Sequence, residues 1–111
     1  MMMVFAALSA ALAIGAGAFG AHGASSAQAA EWLRTGGTYQ LIHAVAAIAI
    51  LGMGASARAP AGLLLIGAAI FAGTLYAMAF GAPRWLGAVT PVGGLLLIGG
   101  WLWTAWIAWR H

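Results

Sequence analysis

Tyr39, Gln40 and His43 stand together in TGGTYQLIHA, Thr35 to Ala44, at the mouth of an otherwise apolar segment. A neutral hydrogen-bonding cluster at the edge of a bilayer core is costly unless partners are supplied, so other helices must be arranged to satisfy it. The polar side chains expected to gather with them are His22, Glu31, Arg34, Tyr76 and Thr90. With two histidines among them, the set could bind a quinone, a lipid headgroup, haem or a proton, or it could simply tie helices together. His43 is expected to be buried, neutral and bonded to another helix.

Several chemistries are poorly served by these residues. There is no Ser-His-acid set, no pair of carboxylates and no metal-ligand spacing such as H-E-x-x-H, so no enzymatic machinery is expected. Bis-histidine haem ligation needs both imidazoles facing one plane, whereas His22 ends one helix and His43 lies a turn or more inside the next. Proton-coupled carriers use an ionisable group inside the membrane, and the one carboxylate, Glu31, falls between crossings. With no cysteine, disulfides, thiolate chemistry and Cys-type zinc sites drop out.

The elements that must position the cluster follow from composition. Of 111 residues, 65% are hydrophobic and 5% charged, too few charges to cover a soluble core of this size. The net charge of +3 comes without any basic run or aromatic-basic interleaving, which sets nucleic-acid binding aside. The fold class expected is all-α: an antiparallel four-helix transmembrane bundle, one domain over residues 1–111, with a short interfacial helix between the first two crossings.

The first crossing covers about 2–21, near the ~20 residues needed to span a ~30 Å hydrocarbon core. A cleaved secretory signal is the rival reading, with an A-x-A-like site in Ser26 to Ala30, but no Lys or Arg precedes the apolar run. Small residues at Ala7, Ala11 and Gly15, and at Ala13, Gly17 and Ala21, give two flat tracks for neighbours. Ser25 with Gln28 makes a capping box and Gly36-Gly37 a stop, which predicts an interfacial helix over about 26–35 with Ala29, Trp32 and Leu33 on one face. Later crossings are expected at about 38–55, 61–81 and 86–109. Ala69, Gly73, Ala77 and Gly81, at four-residue spacing, are expected to meet another helix. Thr90-Pro91 admits two readings, a helix start or a proline kink. Trp101, Trp103, Trp106 and Trp109 crowd the exit end as an aromatic belt or a docking surface.

Alternation of the crossings would gather His22, Glu31, Arg34, Gln40, His43, Tyr76 and Thr90 in one leaflet, leaving Arg58, Arg110 and His111 with the termini on the other side. Arg34 and Arg84 balance Arg58 and Arg110, so only the amino terminus tips both ends toward the cytoplasm.

Four ordered motifs carry a resemblance: GAFGAHG at Gly17 to Gly23, TGGTYQLIHA at Thr35 to Ala44, FAGTLYA at Phe71 to Ala77, and LGAVTPVGG at Leu86 to Gly94. In order and spacing they resemble the YgdD-like membrane protein family, domain of unknown function 423, to which the eukaryotic transmembrane protein 256 group is similar. The resemblance covers nearly the whole chain. It implies a four-helix integral membrane protein, without an activity to carry over, and its polar positions fall here on His22, Tyr39, Gln40, His43, Tyr76 and Thr90. Ala72 departs from the pattern, which resembles FSGSLY in many relatives. The expected role is a structural or accessory module, either a homo-oligomer or a subunit of a larger membrane complex in the bacterial inner membrane. Ligand binding (quinone, lipid or haem) or proton linkage through His22 and His43, and small-solute transport, stand as alternatives.

Overall fold

A computed structural model describes residues 1–110; His111 lies outside the described residues. The chain forms four helices, α1 (Met2–His22), α2 (Ala27–Leu51), α3 (Arg58–Ala79) and α4 (Thr90–Arg110), with short 3-10 turns at Ala55–Ala57 and Arg84–Ala88. Three segments are long and apolar enough to cross a membrane by length and composition: Met2–His22, Ala55–Ala79 and Arg84–Arg110. α2 is long enough, at 25 residues, but carries Gln28, Glu31, Arg34, Gln40 and His43 along its length. The outward side chains include Leu8, Leu12 and Ile14 of α1 and Leu95, Ile98 and Leu102 of α4, an apolar exterior that suits lipid and would aggregate in water.

The separate interfacial helix and the stop at Gly36-Gly37 are not found: Ala27–Leu51 is one continuous helix. Its cap is Ser26, one residue later than expected, whose hydroxyl accepts the Ala29 N–H at 3.0 Å. Glycine inside a helix costs about 1 kcal/mol relative to alanine, yet here both glycines are buried where backbones approach. A Cβ on Gly37 would lie 3.0 Å from the Ala13 carbonyl oxygen, and one on Gly36 would lie 2.7 Å from the Tyr76 ring. Contact with α1 and α3 thus offsets the intrinsic cost, and the helix runs through. The expected face of Ala29, Trp32 and Leu33 does form, packed with Ala79 and Tyr76.

Neighbouring helices meet in reverse order. Gly20 lies against Leu33, Ala13 against Gly37, and Ser9 bonds to Gln40, so later residues of α1 touch earlier residues of α2. Gly67 and Phe71 of α3 meet Gly93 of α4, while Leu64 meets Gly100. The main core lies between these pairs, built from Ala47, Ile50, Ala61, Leu64, Ala68 and Leu97. α2 and α3 form the centre, with α1 packed mainly on α2 and α4 on α3.

The stripe Ala69, Gly73, Ala77 and Gly81 does not form the contact expected of it. Ala69 and Gly73 are exposed, a Cβ at Gly73 would meet nothing within 4 Å, and Gly81 lies in the turn after α3 with φ +105. The buried face of α3 is instead Ala61, Leu64, Gly67, Ala68, Ala72, Leu75 and Ala79. In a helix this rich in Ala and Gly, four-residue spacing occurs on more than one face, so spacing alone cannot choose between them. On α1, Ala7, Ala11 and Gly15 likewise face outward, whereas Ala13 is buried and the Gly17 backbone borders Gly37. Of the two readings of Thr90-Pro91, the helix start holds. α4 begins at Thr90, so Pro91 occupies the first turn, where its missing N–H disrupts no ladder.

Candidate functional site

The polar side chains are held by three sets of hydrogen bonds, each joining two or more helices. In the first, Gln40 of α2 lies between α1 and α3. Its Nε2–H donates to Ser9 Oγ at 3.0 Å, and its Oε1 accepts the Tyr76 O–H at 2.6 Å. Gln40 is only 4% exposed, so these bonds replace the water that its amide would otherwise keep.

The second set is centred on His43, 7% exposed. The Tyr39 carbonyl can only accept, so His43 Nδ1–H must be the donor in their 2.7 Å contact. The Trp101 indole N–H can only donate, and it reaches His43 Nε2 at 3.0 Å. Together these contacts require one species, neutral imidazole with its proton on Nδ1. The Tyr39 ring stacks on the imidazole, with centroids 6.2 Å apart and planes 6° apart, and leans on Phe71 of α3 at 4.7 Å. His43 therefore bridges α2 to α4. With one ring nitrogen donating and the other accepting, neither presents a free lone pair for an axial metal bond.

The third set joins α3 to α4. Thr74 Oγ1 lies 2.6 Å from Thr90 Oγ1 and within 3.0 Å of the Ile70 and Phe71 carbonyls, while Thr90 Oγ1 also lies 3.3 Å from the Leu86 carbonyl. Either hydroxyl can be the donor in the Thr74–Thr90 contact, and in both arrangements it ties α3 to α4.

Of the eight residues singled out in the sequence, Tyr39, Gln40, His43, Tyr76 and Thr90 take part in these helix-to-helix contacts. His22 is exposed at the end of α1. Glu31 and Arg34 pair with each other on the outside of α2, with side chains 54% and 72% exposed. An exposed pair of this kind contributes ~0–1 kcal/mol. The two histidines therefore do not form one site.

Sequence reasoning left out three partners. Ser9 is the lone polar residue of α1 before His22, and an isolated hydroxyl in an apolar span signals a partner elsewhere. Thr74 carried a similar signal. Trp101 was grouped with the other tryptophans and is as exposed as Trp103, but its indole N–H reaches back to His43. Trp103, Trp106 and Trp109 do face outward, with Arg110 over the Trp106 ring at 4.7 Å.

Comparison with known proteins finds membrane-protein relatives. Residues 16–94 match the family model described as "Protein of unknown function (DUF423)". A UPF0382 membrane protein of Haemophilus influenzae is 38% identical over 107 residues, covering 90% of this chain and 86% of its own. One from Staphylococcus saprophyticus is 37% identical over 107 residues, covering 90% and 89%. The UPF0382 inner membrane protein YgdD of Escherichia coli K12 is 35% identical over 111 residues, covering 90% and 82%. No solved structure matches the chain. The family match over most of the chain, these relatives and the apolar helices together identify an all-α membrane protein that belongs to the DUF423 family.

Proposed function

We propose that this protein is a structural or accessory module of the bacterial inner membrane, an antiparallel four-helix transmembrane bundle that assembles with copies of itself or with a larger membrane complex. The observation that carries the reading is how the interior polar groups are used. Gln40, His43, Tyr76 and Thr90 all lock one helix to another, while long apolar side chains on α1 and α4 face outward. Such bonds fix the register of helices that have no hydrophobic drive to associate in lipid. The inner-membrane assignment is supported by the printed name of the Escherichia coli relative.

The bundle requires α2 to cross, despite its polar first half. Reporter fusions after Ser56 and Arg110 should then agree with each other, on the cytoplasmic side, and oppose a reporter at Gln28. Agreement between Gln28 and Ser56 would leave α2 outside the membrane and remove the bundle.

Assembly is tested on the two outer helices. The chain has no cysteine, so Leu12→Cys on α1 and Leu102→Cys on α4, 59% and 66% exposed, each introduce one thiol. In native membranes at native expression, a bifunctional maleimide should link at least one variant into a defined larger species. Monomer alone from both would overturn the accessory reading.

A further inference from the structure

A groove of ~520 Å³ runs between α1 and α3, with Met2, Phe5, Leu65 and Ile66 as walls and Ser9 and Gln40 at its polar floor. Its walls are apolar and its lining carries no charged side chain, so an occupant is neutral and largely hydrocarbon. The floor is more specific. Ser9 Oγ accepts from Gln40, and Gln40 Oε1 accepts from Tyr76, so each acceptor atom there is satisfied by one donor. Two donors are not: among the described residues the Ser9 O–H has no acceptor, unlike the Thr74 and Thr104 hydroxyls, which bond carbonyls of their own helices. Gln40 Nε2 likewise makes one bond and has a second N–H.

Unpaired donors are costly where no water is available, and two of them on residues that line one groove favour a hydrogen-bond acceptor there. Depth narrows the choice. Ser9 lies seven residues into α1, ~10 Å along the axis at 1.5 Å per residue, inside a hydrocarbon core ~30 Å thick. Phospholipid ester carbonyls sit at the edge of that core, whereas a neutral carbonyl compound dissolved in the bilayer reaches the floor. We infer that the α1–α3 groove binds a prenyl quinone, its tail along Met2, Phe5, Leu65 and Ile66 and one ring carbonyl accepting from Ser9 and Gln40. This site uses neither histidine, and it stands independently of the accessory role proposed above.

The test uses the full chain in nanodiscs of an ether-linked phosphatidylcholine, which has no ester carbonyl, loaded with decylubiquinone carrying ¹³C at one ring carbonyl. Isotope-edited infrared spectra should show that carbonyl stretch at lower wavenumber than in empty discs. Ser9→Ala should reverse part of the shift. Ala69→Phe, which fills the groove from an exposed lining position away from the Ser9–Gln40 bond, should abolish it. A spectrum identical to empty discs, or a shift unchanged in Ala69→Phe, overturns the proposal even if Ser9→Ala does not fold. In a second arm, discs of ¹³C-ester phosphatidylcholine without quinone should show no shifted ester. A shifted ester that disappears in Ala69→Phe would assign the groove to phospholipid and overturn the quinone.

Discussion

Gly93→Ala should destabilise this protein more than any other addition of a single methyl group. A Cβ at that position would lie 2.5 Å from the Phe71 backbone nitrogen, 2.7 Å from the Gly67 carbonyl oxygen and 2.9 Å from the Phe71 Cα. All three are backbone atoms, so no rotamer change can make room and α4 has to move away from α3. Overpacking of this kind costs about 1–3 kcal/mol, at the upper end where the clash is with backbone. The movement would also stretch the Thr74–Thr90 bond beside it. Thermal unfolding in detergent should show a large loss for Gly93→Ala and a smaller one for Gly37→Ala, whose nearest contact is 3.0 Å. Gly73→Leu, on the open face, should leave the unfolding midpoint almost unchanged. Equal losses at Gly93 and Gly73 would show that the α3–α4 contact is misplaced.

That contrast also shows what could be read in advance. The runs that became α1, α3 and α4 were legible because ~20 apolar residues with few charges have essentially one stable disposition in a bilayer. The polar residues that matter most, Gln40 and His43, were legible because an amide or imidazole among Ala, Val and Ile must find a partner. Which helix face packs was not legible. Ala69 and Gly73 repeat as regularly as Ala68 and Ala72, and the choice between them depends on the surface that α2 and α4 present. Gly36-Gly37 was misread for a related reason. The pair looks like a helix stop when judged by propensity alone, but against Ala13 and Tyr76 its lack of a side chain is what allows three helices to converge. Ser9 and Trp101 each carried a signal, one as an isolated hydroxyl and the other as a lone donor, but pairing them with Gln40 and His43 needs helix registers that spacing within a segment does not contain.

The His43–Trp101 bond is the second place where a large effect is expected. His43→Ala removes the acceptor of the Trp101 indole N–H and leaves a hole beside Tyr39. Trp101 is itself 42% exposed, but an N–H left without an acceptor where lipid offers none costs roughly 1–3 kcal/mol, and lost packing adds to it. Trp101→Phe strands the His43 Nε2 lone pair instead. Because the two residues act through one bond, their losses should not add: a double-mutant cycle should give a coupling of about 1 kcal/mol, between the ~0.6 average and the ~1.7 maximum for hydrogen bonds between membrane helices. The tautomer supplies an independent check. The Tyr39 carbonyl can only accept and the Trp101 indole can only donate, which places the imidazole proton on Nδ1 and leaves Nε2 as the acceptor. Nitrogen-15 spectra of ring-labelled histidine in the intact protein should therefore show one neutral imidazole protonated at Nδ1, and Trp101→Phe should shift its Nε2 resonance while leaving Nδ1 nearly in place. A proton found on Nε2, or stability losses that simply add, would break the link between α2 and α4 on which the placement of His43 depends.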